Sequence, residues 1–303
     1  MIEGQEGVTW DEWRAIAEAC EEHGIEALFR SDHYGSLLAP GRGSLDAWAT
    51  LAALAAVTTT LRLGTMVSPV TFRHPSELAK VAATVDHVSG GRVEVGMGAG
   101  WNEDEHRRHG FRFPEAAERV ERLAEQLEIV HRSWTEDEFD FRSAHYRLDG
   151  ARPLPKPVQR PHPQLIVGGA ARRGTLEPAA RWADEYNTTF AGPDEARQRR
   201  LRWDRACERA GRGPLPFSVM TGVVVGADAS DLRERAGRVA ARSNRGDDVD
   251  GLLARYRESA VAGTVDEARE RLAAYEEAGV ERIMLQHLDH RDLDAIGLVG
   301  SLR

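Results

Sequence analysis

One structural unit recurs at both ends of this chain: a capped helix followed by a glycine and a short apolar strand. Thr9 and Glu12 have the spacing of a capping box, and Thr264 and Glu267 repeat it. Each helical pattern ends at a glycine and continues into an apolar segment, as in EEHGIEALF near the start and EEAGVERIM near the end. Such units build α/β folds, so we predict a parallel sheet covered by helices.

The same alternation fills the chain between these two units. Strands are predicted at about residues 25, 61, 92, 164, 185, 217 and 280, and amphipathic helices at 44–57, 76–88, 116–132, 176–182 and 194–209. Seven strands would favour an open sheet, whereas an eighth before Thr9 would close a barrel. We assign Ile2 to Gly4 as the end of that eighth strand, with the natural start a few residues upstream. The prediction is a (β/α)8 TIM barrel with insertions and a truncated first strand.

Two segments depart from this regular pattern, and the second of them is a long excursion over residues 247–261 before the last helix. Residues 136–163 combine a β-like piece with a proline-rich run, PLPKPVQRPHPQ. This composition is not that of a flexible linker between domains. We therefore predict a single domain over residues 1–303, with an insertion at about 135–163 that forms a lid or the rim of an active site.

Composition narrows the classes of partner. The 40 Lys+Arg residues against 49 Asp+Glu give a net charge of −9, which argues against nucleic acid or an anionic membrane. No apolar run approaches the roughly 20 residues of a spanning helix. The two cysteines form no CxxC pair, which indicates a reducing compartment. We expect a soluble cytoplasmic protein that binds a small molecule, and its apolar outer helices favour a homodimer.

The loops that follow the strands carry the candidate site, because chemistry in a parallel barrel lies at the carboxyl ends of its strands. Asp32 and His33 follow one strand and would place an acid and a titrating group at the mouth. The alternative is a capped turn with a satisfied histidine. Gly98 and Gly100 follow another strand and allow a flat or phosphorylated ligand to approach the backbone, although tight turns also need such glycines.

A second glycine-rich turn, VGGAARRGT at residues 167–175, opens a helix. Unpaired backbone N–H groups and the helix dipole attract anions at such a position. Arg172, Arg173 and the hydroxyl of Thr175 are suited to a phosphate. The segment therefore predicts a phosphate site, with a plain loop as the alternative.

Five segments match one known family in order along nearly the whole chain. They are SDHY at 31–34, LGTMVSPVTFRHP at 63–75, GMGAGWNEDE at 96–105, PVQRPHPQLIVGG at 157–169 and AARWADEYN at 179–187. The chain resembles the luciferase-like monooxygenase superfamily, and within it the branch that depends on the deazaflavin coenzyme F-420. Flavin-using relatives share most of these motifs.

The resemblance implies a role for each matching residue. Asp32 would bind the cofactor beside the redox ring, with His33 as the catalytic polar group near its hydride-carrying carbon. The Met66–Val67 peptide would form a cis bulge that supports the concave face of the ring. The other implied positions are Gly98 and Ala99 along the cofactor chain, Gly168, Gly169, Ala170 and Thr175 at its phosphate, Glu103 as a catalytic acid, and Trp101 beside the substrate.

The reaction that the resemblance implies is hydride transfer between coenzyme F-420 and a small organic substrate. Arg172 and Arg173 would suit the anionic tail of the deazaflavin, which favours it over FMN. An FMN-dependent two-component monooxygenase on the same fold is the alternative.

Two hypotheses come from other classes. A metal-dependent hydrolase would use His33, His74, Glu103 and His106 on one rim. The spacing of Glu103 and His106 also fits a solvated charged helix, and we predict no metal site. A barrel without catalytic activity is the least favoured, because a phosphate loop and an Asp-His pair occur together.

Overall fold

The computed structural model describes residues 1–243 and 248–302. The strands are β1 Ala27–Arg30, β2 Arg62–Thr65, β3 Ser68–Pro69, β4 Val93–Gly98, β5 Phe139–Arg142, β6 Arg147–Ala151, β7 Gln164–Gly168, β8 Glu185–Thr189, β9 Phe217–Gly226, β10 Val261–Thr264 and β11 Arg282–Gln286. The helices are α1 Trp10–Glu22, α2 Ala47–Val57, α3 Pro75–Ser89, α4 Glu103–His109, α5 Ala116–Thr135, α6 Arg173–Trp182, α7 Pro193–Arg209, α8 Ala229–Arg242, α9 Val249–Ser259, α10 Val265–Glu277 and α11 Asp294–Gly300. Each of the seven predicted strands is present.

Seven parallel strands form one ladder, in the order β1-β2-β4-β7-β8-β9-β11. Met1 and Ile2 lie between its two ends. The backbone nitrogen of Ile2 donates to the carbonyl of Phe29 on β1 at 2.9 Å, and the amino nitrogen of Met1 donates to the carbonyl of Leu285 on β11 at 2.9 Å. Ile2 therefore occupies the position predicted for the end of the first strand, and the arrangement is that of a TIM barrel.

Helix boundaries follow their capping residues. Thr9 and Thr264 both form the predicted capping boxes. The second helix starts at Ala47 rather than at residue 44, because the side chain of Asp46 accepts the backbone N–H of Ala49 at 2.8 Å and so sets the first turn. The short helix α4 is the charged helix that the spacing of Glu103 and His106 fits. The helices α8, α9 and α11 and the strands β3 and β10 are additional elements that the sequence pattern did not reveal.

The insertion at 136–163 carries an antiparallel hairpin, β5 and β6, that packs on α5 through Phe139, Phe141 and Tyr146. Its end reaches the rim of the barrel. The amide nitrogen of Gln126 donates to the hydroxyl of Tyr146 at 2.7 Å and to the carbonyl of Val70, just after β3, at 2.8 Å. The hairpin thus reinforces the β3–α3 loop from outside the barrel.

The barrel interior has an apolar layer and, near the amino ends of the strands, a cluster of charged side chains. The apolar layer is formed by Phe29, Met66, Ile166, Met220 and Met284. Near the amino ends of the strands, Glu94 accepts hydrogen bonds from Arg62 at 2.6 Å and from Arg282 at 2.7 Å, and Arg282 also lies 3.3 Å from Glu185. These charged side chains are paired with one another, away from the carboxyl ends of the strands. No helix of the described residues has the length and apolar character needed to cross a bilayer.

Candidate active site

His33 and Glu105 form a buried pair at the mouth of the barrel. His33 follows β1, whereas Glu105 belongs to α4, after β4. Nδ1 of His33 lies 2.7 Å from Oε2 of Glu105, and Oε1 of the same carboxylate accepts the backbone N–H groups of Tyr34 at 2.6 Å and Gly35 at 3.3 Å. The two side chains are only 14% and 4% exposed, so water screens their interaction little.

The pKa values of this pair favour its charged form. Burial by itself lowers the pKa of His33, but the hydrogen bond and the charge of Glu105 outweigh burial and raise it. Burial likewise raises the pKa of Glu105, but the hydrogen bond and charge of His33, together with the two backbone N–H groups, lower it overall. His33 is therefore protonated over a wider pH range than a free histidine. Its Nε2–H has no acceptor among the described residues.

Trp101 lies beside this histidine. The two ring centroids are 5.9 Å apart with planes at 77°, so the rings meet edge to face. The indole is 66% exposed. The mouth therefore presents an apolar ring next to a polar N–H, a combination that can bind a small organic molecule and donate a hydrogen bond to it.

Asp32 is buried and fully engaged with the protein. It contacts the guanidinium of Arg73 and accepts a hydrogen bond from the hydroxyl of Ser68 at 2.7 Å. Arg73 also reaches Asp46 at 3.0 Å. Burial lowers the pKa of Arg73, but the charge of Asp32 outweighs it and the pKa is raised. Asp32 thus ties the loop after β1 to the loop after β3, and its predicted contact with a redox ring stays a prediction.

The Met66–Val67 peptide bond is cis, as the resemblance implies. The side chain of Val67 packs against the carboxyl ends of two neighbouring strands, β4 and β7. A Cβ added at Gly98 would lie 2.6 Å from Cγ2 of Val67, and one added at Gly168 would lie 2.7 Å from Cγ1. These two glycines therefore make room for Val67. That this bulge supports a cofactor, and that the half-buried Ala99 lines its chain, stay predictions.

The loop between β7 and α6 is shaped by backbone hydrogen bonds. The N–H of Gly169 donates to the carbonyl of Asn187 at 3.0 Å, while Ala170 is exposed. Helix α6 has no side-chain cap, and the N–H groups of Arg173 and Gly174 find no acceptor in the part of the chain that the structure describes. The start of α6 therefore offers unpaired donors to an anion.

Thr175 lies in the first turn of α6. Its hydroxyl donates to the carbonyl of Arg172 at 3.0 Å and lies 2.9 Å from the hydroxyl of Tyr186. Arg172 is exposed, and Arg173 pairs with Glu177 at 2.7 Å on the surface. The donors nearest to a ligand on this loop are thus backbone groups and one hydroxyl.

The carboxylate that pairs with His33 is Glu105, and the predicted role of Glu103 as a catalytic acid stays a prediction. Glu103 is exposed at the first position of α4 and makes no hydrogen bond with His33; Glu105 makes it instead. The reason is geometric, because Asn102 caps α4 and the third helical residue, Glu105, turns toward the barrel. The cap residue Asn102 was a visible signal of where α4 begins, but not of the partner that Glu105 finds.

The residues considered for a metal site serve other purposes. His74 caps α3 by accepting the N–H of Ser76 at 3.2 Å. His106 is buried, with Nδ1 2.6 Å from the carbonyl of Asn102 and Nε2 2.6 Å from the hydroxyl of Thr71. Within residues 1–243 and 248–302, no three His, Cys, Asp or Glu side chains are grouped as metal ligands.

The histidine–carboxylate pair and the uncapped start of α6 both lie at the carboxyl ends of the barrel strands, where TIM-barrel enzymes have their active sites, and an uncapped helix start can bind an anion. The model of the luciferase-like monooxygenase family matches residues 2–282, and the chain belongs to this family. It is 39% identical over 173 residues to an uncharacterized protein of Mycobacterium tuberculosis, covering 57% of this chain and 60% of that protein. It is 34% identical over 175 residues to an F-420-dependent glucose-6-phosphate dehydrogenase of Nakamurella multipartita, covering 57% of this chain and 50% of that enzyme.

Solved structures agree on the fold. The monooxygenase RslO1 from Streptomyces bottropensis superposes with a TM-score of 0.82 at 25% identity, over 96% of this chain and 92% of that one. An F-420-dependent secondary alcohol dehydrogenase, solved with an F-420–acetone adduct, gives 0.80 at 19% identity, over 97% and 93%. A type II Baeyer-Villiger monooxygenase of Pseudomonas putida, solved with FMN, gives 0.75 at 18% identity, over 96% and 91%. Of these structures, one thus holds a deazaflavin adduct and another holds FMN.

Proposed function

We propose that this protein is an oxidoreductase that transfers a hydride between coenzyme F-420 and a small organic substrate. The observation that carries the proposal is the His33–Glu105 pair, in which the carboxylate orients a titratable imidazole at the barrel mouth and raises its pKa. A hydride that reaches a carbonyl carbon must be matched by a proton delivered to its oxygen, and a hydride that leaves an alcohol carbon must be matched by a proton removed from its hydroxyl. His33 would exchange this proton, as the acid in reduction and, in its neutral form, as the base in oxidation.

The start of α6 fits the phosphate of such a cofactor. The unpaired N–H groups of Arg173 and Gly174 and the hydroxyl of Thr175 are donors suited to an anion. We assign Gly168, Gly169 and Ala170 to the same contact surface. When bound, the deazaflavin would supply a carbon that carries the hydride.

The protein residues would bind the substrate and control its proton. Nε2 of His33 would donate a hydrogen bond to the substrate oxygen, and Glu105 would keep this imidazole charged and correctly oriented. Trp101 would cover the apolar part of the substrate. Val67, held by Gly98 and Gly168, would form a fixed ledge beneath the ring.

A specific observation favours a second function, an FMN-dependent monooxygenase. The structure with the highest TM-score among the three compared is a monooxygenase, at 25% identity, and another was solved with FMN. The phosphate donors at α6 would serve FMN equally well. Two exposed arginines, Arg172 and Arg173, favour coenzyme F-420 over FMN, because their positive charges would attract its longer anionic tail.

The test is a side-by-side titration of the protein with coenzyme F-420 and with FMN, followed by fluorescence. Preference for F-420, followed by deazaflavin absorbance changes with a panel of secondary alcohols and carbonyl compounds, is the expected result. Preference for FMN with oxygen-dependent oxidation would support the second function instead. Binding of neither cofactor would overturn both. A His33→Ala variant is the control, because it should bind the cofactor but not turn over.

Three further predictions concern the whole protein. We propose one domain over residues 1–303, a homodimer, and a cytoplasmic location. Light scattering on the purified protein would test the dimer, since a monomeric mass at micromolar concentration would contradict it. Fractionation of the source cells would test the location.

A further inference from the structure

Tyr186 is buried directly beneath the loop that we assign to the cofactor phosphate. On β8 its neighbour Asn187 points into the barrel, where it donates to Ser218 at 2.8 Å. Because side chains alternate along a strand, Tyr186 points the other way, and its ring packs against Trp203 of α7 with centroids 5.3 Å apart. Its side chain is 0% exposed. Tyr186 therefore cannot touch a substrate inside the barrel.

The hydroxyl of Tyr186 makes two hydrogen bonds, and both go to the β7–α6 loop. The backbone N–H of Ala171 can only donate, so the phenol oxygen accepts it, at 3.0 Å. The phenol proton is then available for the hydroxyl oxygen of Thr175, at 2.9 Å. Thr175 in turn donates its own proton to the carbonyl of Arg172 at 3.0 Å. This is the arrangement in which each of the two hydroxyl protons has an acceptor.

The loop is built closely around this hydroxyl. Ala171 has a φ of 51°, in the left-handed region that alanine rarely adopts, and its N–H is directed at Tyr186. A Cβ added at Gly169 would lie 2.7 Å from the phenol oxygen. Burial raises the pKa of Tyr186, so the phenol remains a donor throughout the physiological range.

We infer that Tyr186 is a positioning residue for the cofactor phosphate, and that it acts through Thr175 and Ala171. Because Tyr186 supplies the hydrogen bond that the oxygen of Thr175 accepts, the proton of Thr175 is free to turn from the carbonyl of Arg172 to a phosphate oxygen. The bond to Ala171 fixes the loop that carries Gly169 and Ala170. This inference rests on the proposed phosphate site.

The experiment compares Tyr186→Phe with the unchanged protein on two matched pairs of probes. The pairs are FMN with riboflavin, and coenzyme F-420 with the deazaflavin ribityl compound that lacks the phosphate. The variant should bind the phosphate-bearing probe about tenfold more weakly, because a buried N–H and an oriented hydroxyl lose their partner. Affinity for the phosphate-free probe should change by less than about twofold.

Two variants serve as controls. Tyr275→Phe removes another buried tyrosine hydroxyl, which donates to the carbonyl of Ala191 at 2.9 Å and does not contact the β7–α6 loop, so it should weaken both probes equally or neither. Thr175→Val removes the hydroxyl through which Tyr186 acts. Adding Tyr186→Phe to it should cost less than Tyr186→Phe costs alone, because the two changes share one interaction.

The outcomes distinguish a failure of the phosphate site from a failure of the role of Tyr186. If the unchanged protein binds phosphate-bearing and phosphate-free probes equally, or binds neither ring, the phosphate site is wrong and the inference falls with it. If that preference exists but Tyr186→Phe leaves it intact, Tyr186 has no positioning role. Equal weakening of both probes would show that Tyr186 only supports the fold, and would likewise overturn the inference.

Discussion

The mouth of this barrel has two sides that are built from different interactions. Around His33, charged side chains from distant parts of the chain meet, with Glu105 on the histidine and Arg73 on Asp32. Around the start of α6, the polar groups are instead backbone N–H groups and neutral hydroxyls, with Tyr186 beneath them. The first side can change protonation with pH, whereas the second presents the same donors at every physiological pH.

This difference suits the His33 side to proton transfer and the start of α6 to binding an anion. An ion pair in a buried place fixes both the position and the charge of a side chain, which suits a group that must hold a proton. Neutral donors at a helix start can bind an anion without a competing charge of their own. Substitutions on the two sides should therefore affect different measurements.

The largest expected effect is on stability, from Asp32→Ala. It would leave Arg73, whose side chain is 8% exposed, without its buried partner, and should lower the free energy of unfolding by about 3–5 kcal/mol. Urea denaturation would measure this. Asp46→Ala removes the 47%-exposed partner of the same arginine and a helix cap, and should cost only about 1 kcal/mol. Equal losses would show that burial does not distinguish the two carboxylates.

His33→Ala should abolish most turnover without loss of cofactor binding. Removal of a positioned proton donor should slow hydride transfer about 100- to 1,000-fold. Deazaflavin absorbance with any substrate that the unchanged protein accepts would report this rate, and fluorescence titration would report binding. A parallel loss of cofactor affinity would mean that the two sides of the mouth are not independent.

Glu105→Gln should lower the pKa of His33, because it removes the negative charge that outweighs burial. NMR titration of the histidine ring would measure the change. The raised pKa of His33 contributes stability below its unfolded value of about 6.5, and this contribution is lost as the pH rises through the folded value. The variant should show less pH dependence of stability in that window. An unchanged pKa of His33 would mean that another group sets its charge.

The smallest effect is expected from Arg173→Ala. Its side chain is 84% exposed and already paired with Glu177, so affinity for FMN should fall by about twofold or less. Titration at low and at high salt would check this. A loss above about tenfold would show that charge, rather than backbone donors, anchors the phosphate.

The sequence predicts local features of this fold well. Both capping boxes and all seven strands follow from residue patterns within a few positions of each other. The family resemblance added the cis bond at Met66–Val67. The capping boxes and the strands depend on residues that are neighbours in the chain, so the sequence alone can predict them.

The partners at the mouth were harder to find. His33 and Glu105 are 72 residues apart, and Asp32 and Arg73 are 41 apart. Which of Glu103 and Glu105 faces the histidine depends on about half a turn of helix phase, set by the cap at Asn102. The role of Tyr186 could not be predicted for a different reason. A tyrosine on a buried strand does not show in the sequence which groups its hydroxyl contacts.

The contact of Val67 with Gly98 and Gly168 has a consequence for directed evolution of this mouth. Each glycine leaves room for one methyl group of the same valine, so a larger residue at either position meets Val67 at once. Libraries that vary one of these positions at a time would consist mainly of misfolded members. Libraries in which Val67 shrinks while a glycine grows would reach pocket shapes that single substitutions cannot.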